Sequence, residues 1–297
     1  MKVRFTLFTA ILLTVCFYQT ATAAILYGHA HAYADAADYG RLYRIDTLSQ
    51  TVTPLGVDTD RTYAPEIQMD PSEDRIYVST VGATWNVFPN AGSLFIADPA
   101  TGNTMDTLAL TSYPDGTDTA TALEFVGGVL YGSFHESGPE SDDGILGTIN
   151  LATGEITAIG AMTPMDKPAG GMHYHDGTMY AVGATDSDNC FLFTINLATG
   201  AATEVAEVTL NGQLVQSLTA LAYGDDKMYT FISRGTNLYS LDLETGVLTL
   251  EFDTGVYLAS LTSGPLVQSA AVPATSTIAI IVLAGLVLLL VRRRLVV

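Results

Sequence analysis

The chain has 297 residues, with 31 acidic and 12 basic side chains and a formal net charge of −19 at neutral pH. Five of the basic residues lie near the two ends, so the body between them sets seven basic residues against all 31 acidic ones. This charge excludes DNA and RNA as partners of the body, because their phosphates would be repelled.

The first predicted element is a secretory signal peptide over residues 1–24. Lys2 and Arg4 form its positive start, residues 5–18 form an apolar run, and Ala21 to Ala23 supply the small residues of a cleavage site. The alternative is an uncleaved membrane anchor, which an apolar run this short disfavours. The sequence therefore predicts export.

Five similar segments occupy the body of the chain, residues 25–265. Each segment has Leu, three further residues and then Asp or Asn, followed by a short turn and a tail rich in Thr and Val. The segments begin at Leu42, Leu94, Leu146, Leu192 and Leu238, with spacings of 52, 52, 46 and 46 residues. This period is typical of the four-stranded blades of a β-propeller, and the body resembles the NHL, YVTN and PQQ-like group of propeller repeats.

A second segment alternates with the first, a hairpin whose second strand carries an apolar residue followed by tyrosine. Its tyrosines are Tyr77, Tyr131, Tyr180 and Tyr229. Each repeat is then predicted to contain strand a, a tight turn, the tyrosine-bearing strand b, a long connection, strand c, a tight turn and strand d. Strand a is a short apolar segment, as at Ala122–Phe125 and Leu218–Ala222.

The two ends of the body each supply part of a repeat. Ile25–Tyr27 form a strand b with no strand a before it, and Val256–Leu261 form a strand a with no strand b after it. We therefore predict an all-β, five-bladed β-propeller in which the two ends complete one shared blade and leave no open edge. A six-bladed ring is the alternative.

The c–d turns carry two recurrent residue types. The first is the Asp or Asn that ends strand c: Asp46, Asp98, Asn150, Asn196 and Asp242. We expect these side chains to cap the turns by accepting hydrogen bonds from backbone N–H groups, rather than to form a ring of metal ligands. The second is a glycine that follows Thr, at Gly102, Gly154, Gly200 and Gly246, where a positive φ is required.

The b–c and d–a connections are longer than the tight turns, and we expect binding residues on that face because long loops on rigid scaffolds often carry function. The candidate binding residues are His29, His31, Tyr33, Trp85 and His135. The candidate metal ligands are Asp142, Asp143, Asp186 and Asp188. Calcium is favoured over zinc because carboxylates outnumber histidines. The alternative to a metal site is a solvated acidic rim without metal, and the alternative to ligand binding by the aromatic rings is that they only pack the loops. His173 and His175 are predicted to flank the opposite, tight-turn side.

The last predicted elements are a linker over residues 266–277 and a hydrophobic segment with a basic tail over residues 278–297. The residues that define them are Val272, Pro273, Ser276, Arg292, Arg293 and Arg294. They resemble the exosortase sorting signals of the PEP-CTERM group and its IPTL-CTERM-like relatives, although the Glu-Pro of the commonest form is absent. The resemblance implies processing by an exosortase-type protease at the inner membrane, with release or re-anchoring at the cell surface. A plain single-pass anchor with a cytoplasmic Arg cluster is the alternative.

Two functions from different classes are open at this point. The first is an exported surface or matrix protein whose propeller binds exopolysaccharide, a surface protein or a cation. The second is a secreted glycoside hydrolase or lyase, which would use paired carboxylates near the central channel. The acids predicted on or near the inner strands are Glu66, Asp70 and Glu124. The sequence holds no nucleophile elbow, P-loop, HExxH or CxxC motif, which favours binding.

Overall fold

The computed structural model describes residues 24–30, 38, 40–57, 66–70, 74–80, 92–111, 120–135, 144–165, 167, 169–185 and 189–264. Over these ranges the chain forms strands, turns and bends, and no helix. The predicted hydrophobic segment at residues 278–297, the linker before it and nearly all of the predicted signal peptide lie outside the described residues.

The strands follow one another at short intervals along the chain. They are β1 (Ile25–Ala30), β2 (Arg41–Asp46), β3 (Thr51–Val57), β4 (Glu66–Asp70), β5 (Arg75–Thr80), β6 (Ser93–Ala97), β7 (Thr104–Ala109), β8 (Ala120–Val126), β9 (Val129–His135), β10 (Gly144–Ile149), β11 (Ile156–Ala161), β12 (Gly171–His175), β13 (Thr178–Ala184), β14 (Cys190–Ile195), β15 (Ala202–Glu207), β16 (Thr209–Leu210), β17 (Gln213–Leu214), β18 (Ala222–Gly224), β19 (Lys227–Phe231), β20 (Asn237–Leu241), β21 (Val247–Asp253) and β22 (Leu258–Ser263).

These strands form five sheets, which we number as blades. Blade 1 has the order β22-β1-β2-β3, blade 2 contains β4 to β7, blade 3 contains β8 to β11 and blade 4 contains β12 to β15. Blade 5 contains β18 to β21, extended by the hairpin β16-β17 along β21. The first strands contact one another in a closed cycle, from β22 to β4, β8, β12, β18 and back to β22. The body is therefore a five-bladed β-propeller, as predicted, and not a six-bladed one.

The two ends of the described chain share blade 1. β1 pairs antiparallel with β22, with Leu26 opposite Ser263 and Tyr27 opposite Thr262. The backbone N–H of Gly264 donates to the carbonyl of Ile25 at 2.7 Å. This pairing confirms the predicted closure, which leaves β1 no open edge.

The core lies between neighbouring blades, where the apolar faces of adjacent sheets meet. Phe134, Phe193 and Phe231 are the largest of its fully buried side chains. Two serines at equivalent positions of strand b add polar links between blades: Ser79 donates to the carbonyl of Ala120 at 2.7 Å, and Ser133 accepts from the N–H of Ala169 at 2.9 Å.

The c–d turns have the predicted chemistry. In the second of them the N–H of Ala100 donates to Asp98 at 2.8 Å, and Asp46, Asn150, Asn196 and Asp242 accept equivalent bonds. The turn glycines have φ values of 73°, 75°, 80° and 70°. Both the capping and the positive φ predicted for these turns are confirmed.

The turn glycines also meet a neighbouring blade, which the sequence analysis did not predict. A Cβ atom at Gly154 would overlap the carbonyl oxygen of Ala109, and one at Gly200 would overlap that of Gly160. The N–H of Thr111 donates to the carbonyl of Gly154 at 2.9 Å. The c–d turn therefore packs directly on the last strand of the preceding blade, and glycine is required for space as well as for φ.

Blade 5 departs from the predicted pattern. The sequence predicts a strand a over Leu218 to Ala222, but β18 contains only Ala222–Gly224, preceded by a single bridge between Leu218 and Ile232. Ala220, between these two pieces, has a φ of 152°, which interrupts the regular strand. The hairpin β16-β17 is an insertion that the repeat pattern did not indicate.

Candidate functional site

One position on each innermost strand defines a layer around the channel. It is the residue that pairs with the tyrosine of strand b: Thr262 in blade 1, Gln68 in blade 2, Glu124 in blade 3, His173 in blade 4 and Ala222 in blade 5. We call these five residues the channel layer. Four of the five are polar, although they lie in the interior of the ring.

Polar side chains of the innermost strands supply hydrogen-bond partners to the backbone of neighbouring blades. Each of these strands has one edge without a partner strand, so its backbone groups on that edge must bond elsewhere. Thr262 Oγ1 accepts from the N–H of Met69 in blade 2 at 3.0 Å. Ser263 Oγ accepts from the N–H of Tyr223 in blade 5 at 2.9 Å and donates to its carbonyl at 2.7 Å. Side chains of the closing strand thus join blade 1 to both neighbours.

Glu124 and His173 join blade 3 to blade 4 in the same layer. His173 Nδ1 lies 3.1 Å from Glu124 Oε2. The Glu124 carboxylate also accepts a backbone hydrogen bond from Tyr174, as Thr262 does from Met69. Burial raises the pKa of Glu124, and the neighbouring His173 opposes that rise by favouring the charged carboxylate.

Glu66 lies one layer closer to the b–c and d–a connections, opposite Ser79. Its Oε1 accepts from the N–H of Ile67 at 2.9 Å, and the backbone of Leu261 in the closing strand also bonds to it. Burial raises the pKa of Glu66 well above its ordinary value, and the negative charge of Glu124 adds to the rise. Glu66 Oε2 is buried and has no hydrogen-bond partner among the described residues. These conditions favour the neutral, protonated form of Glu66.

The structure brings together two of the three acids named as catalytic candidates. Glu66 and Glu124 interact electrostatically, whereas Asp70 lies at the far end of β4, opposite Arg75 and beside the a–b turn. Two coupled carboxyl groups beside an imidazole have the composition of an acid–base site. Yet Glu66 is 2% and Glu124 is 4% exposed, and both bond to backbone groups of adjacent blades. Their contacts are those of a buried network that holds blades together.

Part of this network was not predicted from the sequence, where His173 and His175 were expected only to flank the tight turns. His175 does lie beside a tight turn, opposite Thr178, and its ring stacks on Tyr223 of blade 5 with a centroid separation of 3.8 Å. His173 lies two residues further in, within the channel layer. Aligning the blades on the tyrosines of strand b would have placed Gln68, Glu124 and His173 at one level.

The residues predicted for the binding face are mostly beyond what the structure describes. His31, Tyr33, Trp85 and the side chain of His135 lie outside the described residues, as do Asp142, Asp143, Asp186 and Asp188. His29 is described, and its prediction as a loop residue is wrong. Strand β1 continues to Ala30, with His29 opposite Leu42 and fully buried. The backbone of His135 ends β9 opposite Gly144.

Two features are absent from the described part of the chain. It contains no group of three or more His, Cys, Asp or Glu side chains that could hold a metal ion. Within the same residues, no helix has the length and apolar character needed to cross a membrane.

The similarity of this chain to known proteins is low. No protein-family profile matches the chain, and no curated protein matches it. A crystal structure of a glutaminyl cyclase from Myxococcus xanthus is similar with a TM-score of 0.45 and 13% identity, over 69% of this chain and 72% of that one. A nidogen–laminin complex is similar with a TM-score of 0.49 and 9% identity, over 82% of this chain and 98% of that one. Similarity this low carries no functional argument, and the propeller fold rests on the strand topology.

Proposed function

We propose that this protein is an exported β-propeller of the cell surface or extracellular matrix. It binds exopolysaccharide or another surface protein through the face that carries the b–c and d–a connections, which we call the connection face. Its C-terminal segment is a sorting signal processed by an exosortase-type protease, so that the inner membrane is a transient or permanent anchor.

The observation that carries the proposal is the unequal length of connections at the two ends of the blades. In an antiparallel blade the a–b and c–d turns lie at one end, and the b–c and d–a connections lie at the other. The a–b turns are short, as at Gly127–Gly128 and Asp176–Gly177. The b–c connections include residues 31–40, 81–92 and 136–143, which are long for a compact fold. Long connections on a rigid ring are suited to recognition.

The positions of the two ends of the ring also support the connection face as the binding face. Ala24 and Gly264 both lie at the turn end of blade 1, since the N–H of Thr47 in a c–d turn donates to the carbonyl of Ala24 at 3.2 Å. The chain therefore enters and leaves the ring at the end opposite the connection face. Both ends of the described ring therefore lie away from the face that we propose meets a partner.

The test follows the protein in its bacterial host, with one epitope placed at Gly212 in the β16-β17 turn and a second placed after Val297. We expect intact cells to display the first epitope and mature protein to lack the second. A Pro273→Ala variant should keep the second epitope, because the sorting motif is altered. Both epitopes retained in the cytoplasm would contradict export, and a mature protein that keeps the second epitope would contradict processing.

A second candidate function is favoured by one observation, the electrostatic coupling of Glu66 and Glu124. A secreted glycoside hydrolase or lyase would use one neutral and one charged carboxyl group, and the raised pKa of Glu66 fits the neutral partner. Exopolysaccharide incubated with the protein would then become shorter, and Glu66→Gln and Glu124→Gln would each abolish the shortening. Unchanged chain length alongside retained binding would support the binding function.

A further inference from the structure

A pocket of about 320 Å³ opens between blades 4 and 5. Its lining includes Lys167, Gly183, Cys190, Gln216, Ser217 and Leu218. Gly183 lies near the end of β13 and Cys190 begins β14, so the pocket lies at the b–c end of blade 4. It therefore belongs to the connection face.

The pocket lies where the ring loses its regularity. The innermost strands β4, β8, β12 and β22 are continuous, whereas in blade 5 the segment before β18 is held by the isolated Leu218–Ile232 bridge and by a hydrogen bond from the Thr230 hydroxyl to the carbonyl of Ala220 at 2.7 Å. Gln216 and Ser217 belong to this interrupted segment, and both are exposed. The backbone of this segment packs closely on blade 4, since a Cβ atom at Gly170 would overlap the carbonyl oxygen of Leu218. The pocket opens beside this contact.

Two further observations mark the interrupted segment. The hydroxyl of Thr219 is buried and has no hydrogen-bond partner among the described residues. Ala220 has a φ of 152°, which a residue with a side chain rarely adopts. Unpaired polar groups and unusual backbone angles are concentrated at functional sites in proteins.

The polar groups of the pocket specify a type of ligand. Lys167 is an exposed cation, and it is one of only seven basic residues in a strongly acidic body. Gln216 supplies an amide and Ser217 a hydroxyl, which both donate and accept. Burial raises the pKa of the Cys190 thiol to about 12, so this side chain adds neither charge nor a metal ligand. A single cation among neutral hydrogen-bonding groups suits an anion that carries hydroxyl groups.

We propose that this pocket binds a compact hydroxylated carboxylate, with the chemistry of one hexuronic acid unit. Lys167 contacts the carboxylate, and Gln216 and Ser217 bond to ring hydroxyls. The volume is near the lower end of the usual range for small-molecule sites, ~300–1,000 Å³, and suits one sugar unit. This inference rests on the proposed function and deepens it, because it names the ligand class of one site on the connection face.

The test is calorimetric titration of the full-length protein in detergent with three probes. D-glucuronate carries both the carboxylate and the hydroxyls, glucose carries only hydroxyls, and acetate carries only the carboxylate. We expect saturable binding of glucuronate with EDTA present, and dissociation constants at least about tenfold weaker for glucose and acetate. Absence of saturable glucuronate binding overturns the proposal, as does binding that appears only when calcium is added.

Substitutions of the lining residues test whether glucuronate binds in this pocket. Lys167→Gln should weaken glucuronate binding about tenfold or more and leave glucose unaffected, because a charge-assisted bond is lost. Lys227→Gln is the matched control, since Lys227 pairs with Glu251 at 2.8 Å and should leave the titration unchanged. Gln216→Ala should weaken glucuronate and glucose alike. Circular dichroism checks that each variant is folded; equal affinity of Lys167→Gln and wild type overturns the proposal.

Failure of this inference can be told apart from failure of the proposed function. If glucuronate does not bind but the protein still sediments with exopolysaccharide, the pocket is excluded and surface binding stands. If the protein is not exported or sediments with no surface component, the proposed function itself fails.

Discussion

Gly154→Ala offers the sharpest test of how the blades fit together. Gly154 has a φ of 75° and its missing side chain leaves room for the carbonyl of Ala109 in the preceding blade. A Cβ atom there would overlap that oxygen, so the c–d turn of blade 3 must move away from blade 2. The matched control is Gly177→Ala, because Gly177 has a φ of 83° with no atom within 4 Å of the added Cβ.

The magnitude follows from two separate costs. Both substitutions place alanine at positive φ, which costs about 1 kcal/mol. Gly154→Ala also adds overpacking at about 1–3 kcal/mol. It further weakens the bonds from Thr111 N–H to Gly154 and from Ile156 N–H to Thr111, at 2.9 and 3.0 Å. We expect a total loss of about 3 kcal/mol for Gly154→Ala and about 1 kcal/mol for the control.

The assay is urea unfolding followed by far-ultraviolet circular dichroism, with free energies of unfolding compared at equal slope. A difference of about 2 kcal/mol between the two variants supports direct packing of each turn on the preceding blade. Equal losses for Gly154→Ala and Gly177→Ala would refute it, because the turn glycine would then serve only the backbone angle.

Three further outcomes are expected. Glu66→Gln should match the wild type in free energy of unfolding at about pH 4 and become the more stable protein as pH rises. The reason is that burial raises the folded-state pKa of Glu66, so the unfolded chain ionises first and the wild type loses stability with rising pH. Equal free energies of unfolding at every pH would contradict this. Thr262→Val should cost about 1–3 kcal/mol, since the buried N–H of Met69 loses its acceptor, while Thr249→Val on the exposed strand β21 should cost less than about 0.5 kcal/mol. In a Cys16→Ser background, Cys190, which is 1% exposed with its thiol pKa raised to about 12, should react with a maleimide only in urea. Rapid reaction of that native variant would contradict the burial of Cys190.

The repeat pattern predicted the ring because it reports local geometry. The Leu-to-Asp segments mark strand c and its turn, and the apolar–Tyr pairs mark strand b, so the number of blades can be counted directly. The shared blade also followed from the sequence, since Ile25–Tyr27 and Val256–Leu261 each lacked a partner segment. β1 and β22 pair as that count requires.

Contacts between blades were harder to predict, because they depend on how separate sheets are turned against one another. The overlap between Gly154 and Ala109 is an example, as is the approach of His173 to Glu124. His29 was misplaced because β1 continues beyond Tyr27, where the polar sequence resembled a loop. The interruption before β18 was missed because Leu218 to Ala222 has the apolar composition of an ordinary inner strand.

The most direct test of the account is to block one face of the propeller at a time. Tyr257 is 39% exposed in the connection before β22, and Leu48 is 56% exposed in a c–d turn at the opposite end. In a Cys16→Ser background, a polyethylene glycol maleimide would be attached to Tyr257→Cys or Leu48→Cys, with the buried Cys190 unreactive in the folded protein. Binding to exopolysaccharide from the host is then measured by sedimentation. The account predicts that the polymer at position 257 abolishes binding and that the polymer at position 48 leaves it intact; binding that survives at 257 and is lost at 48 would contradict it.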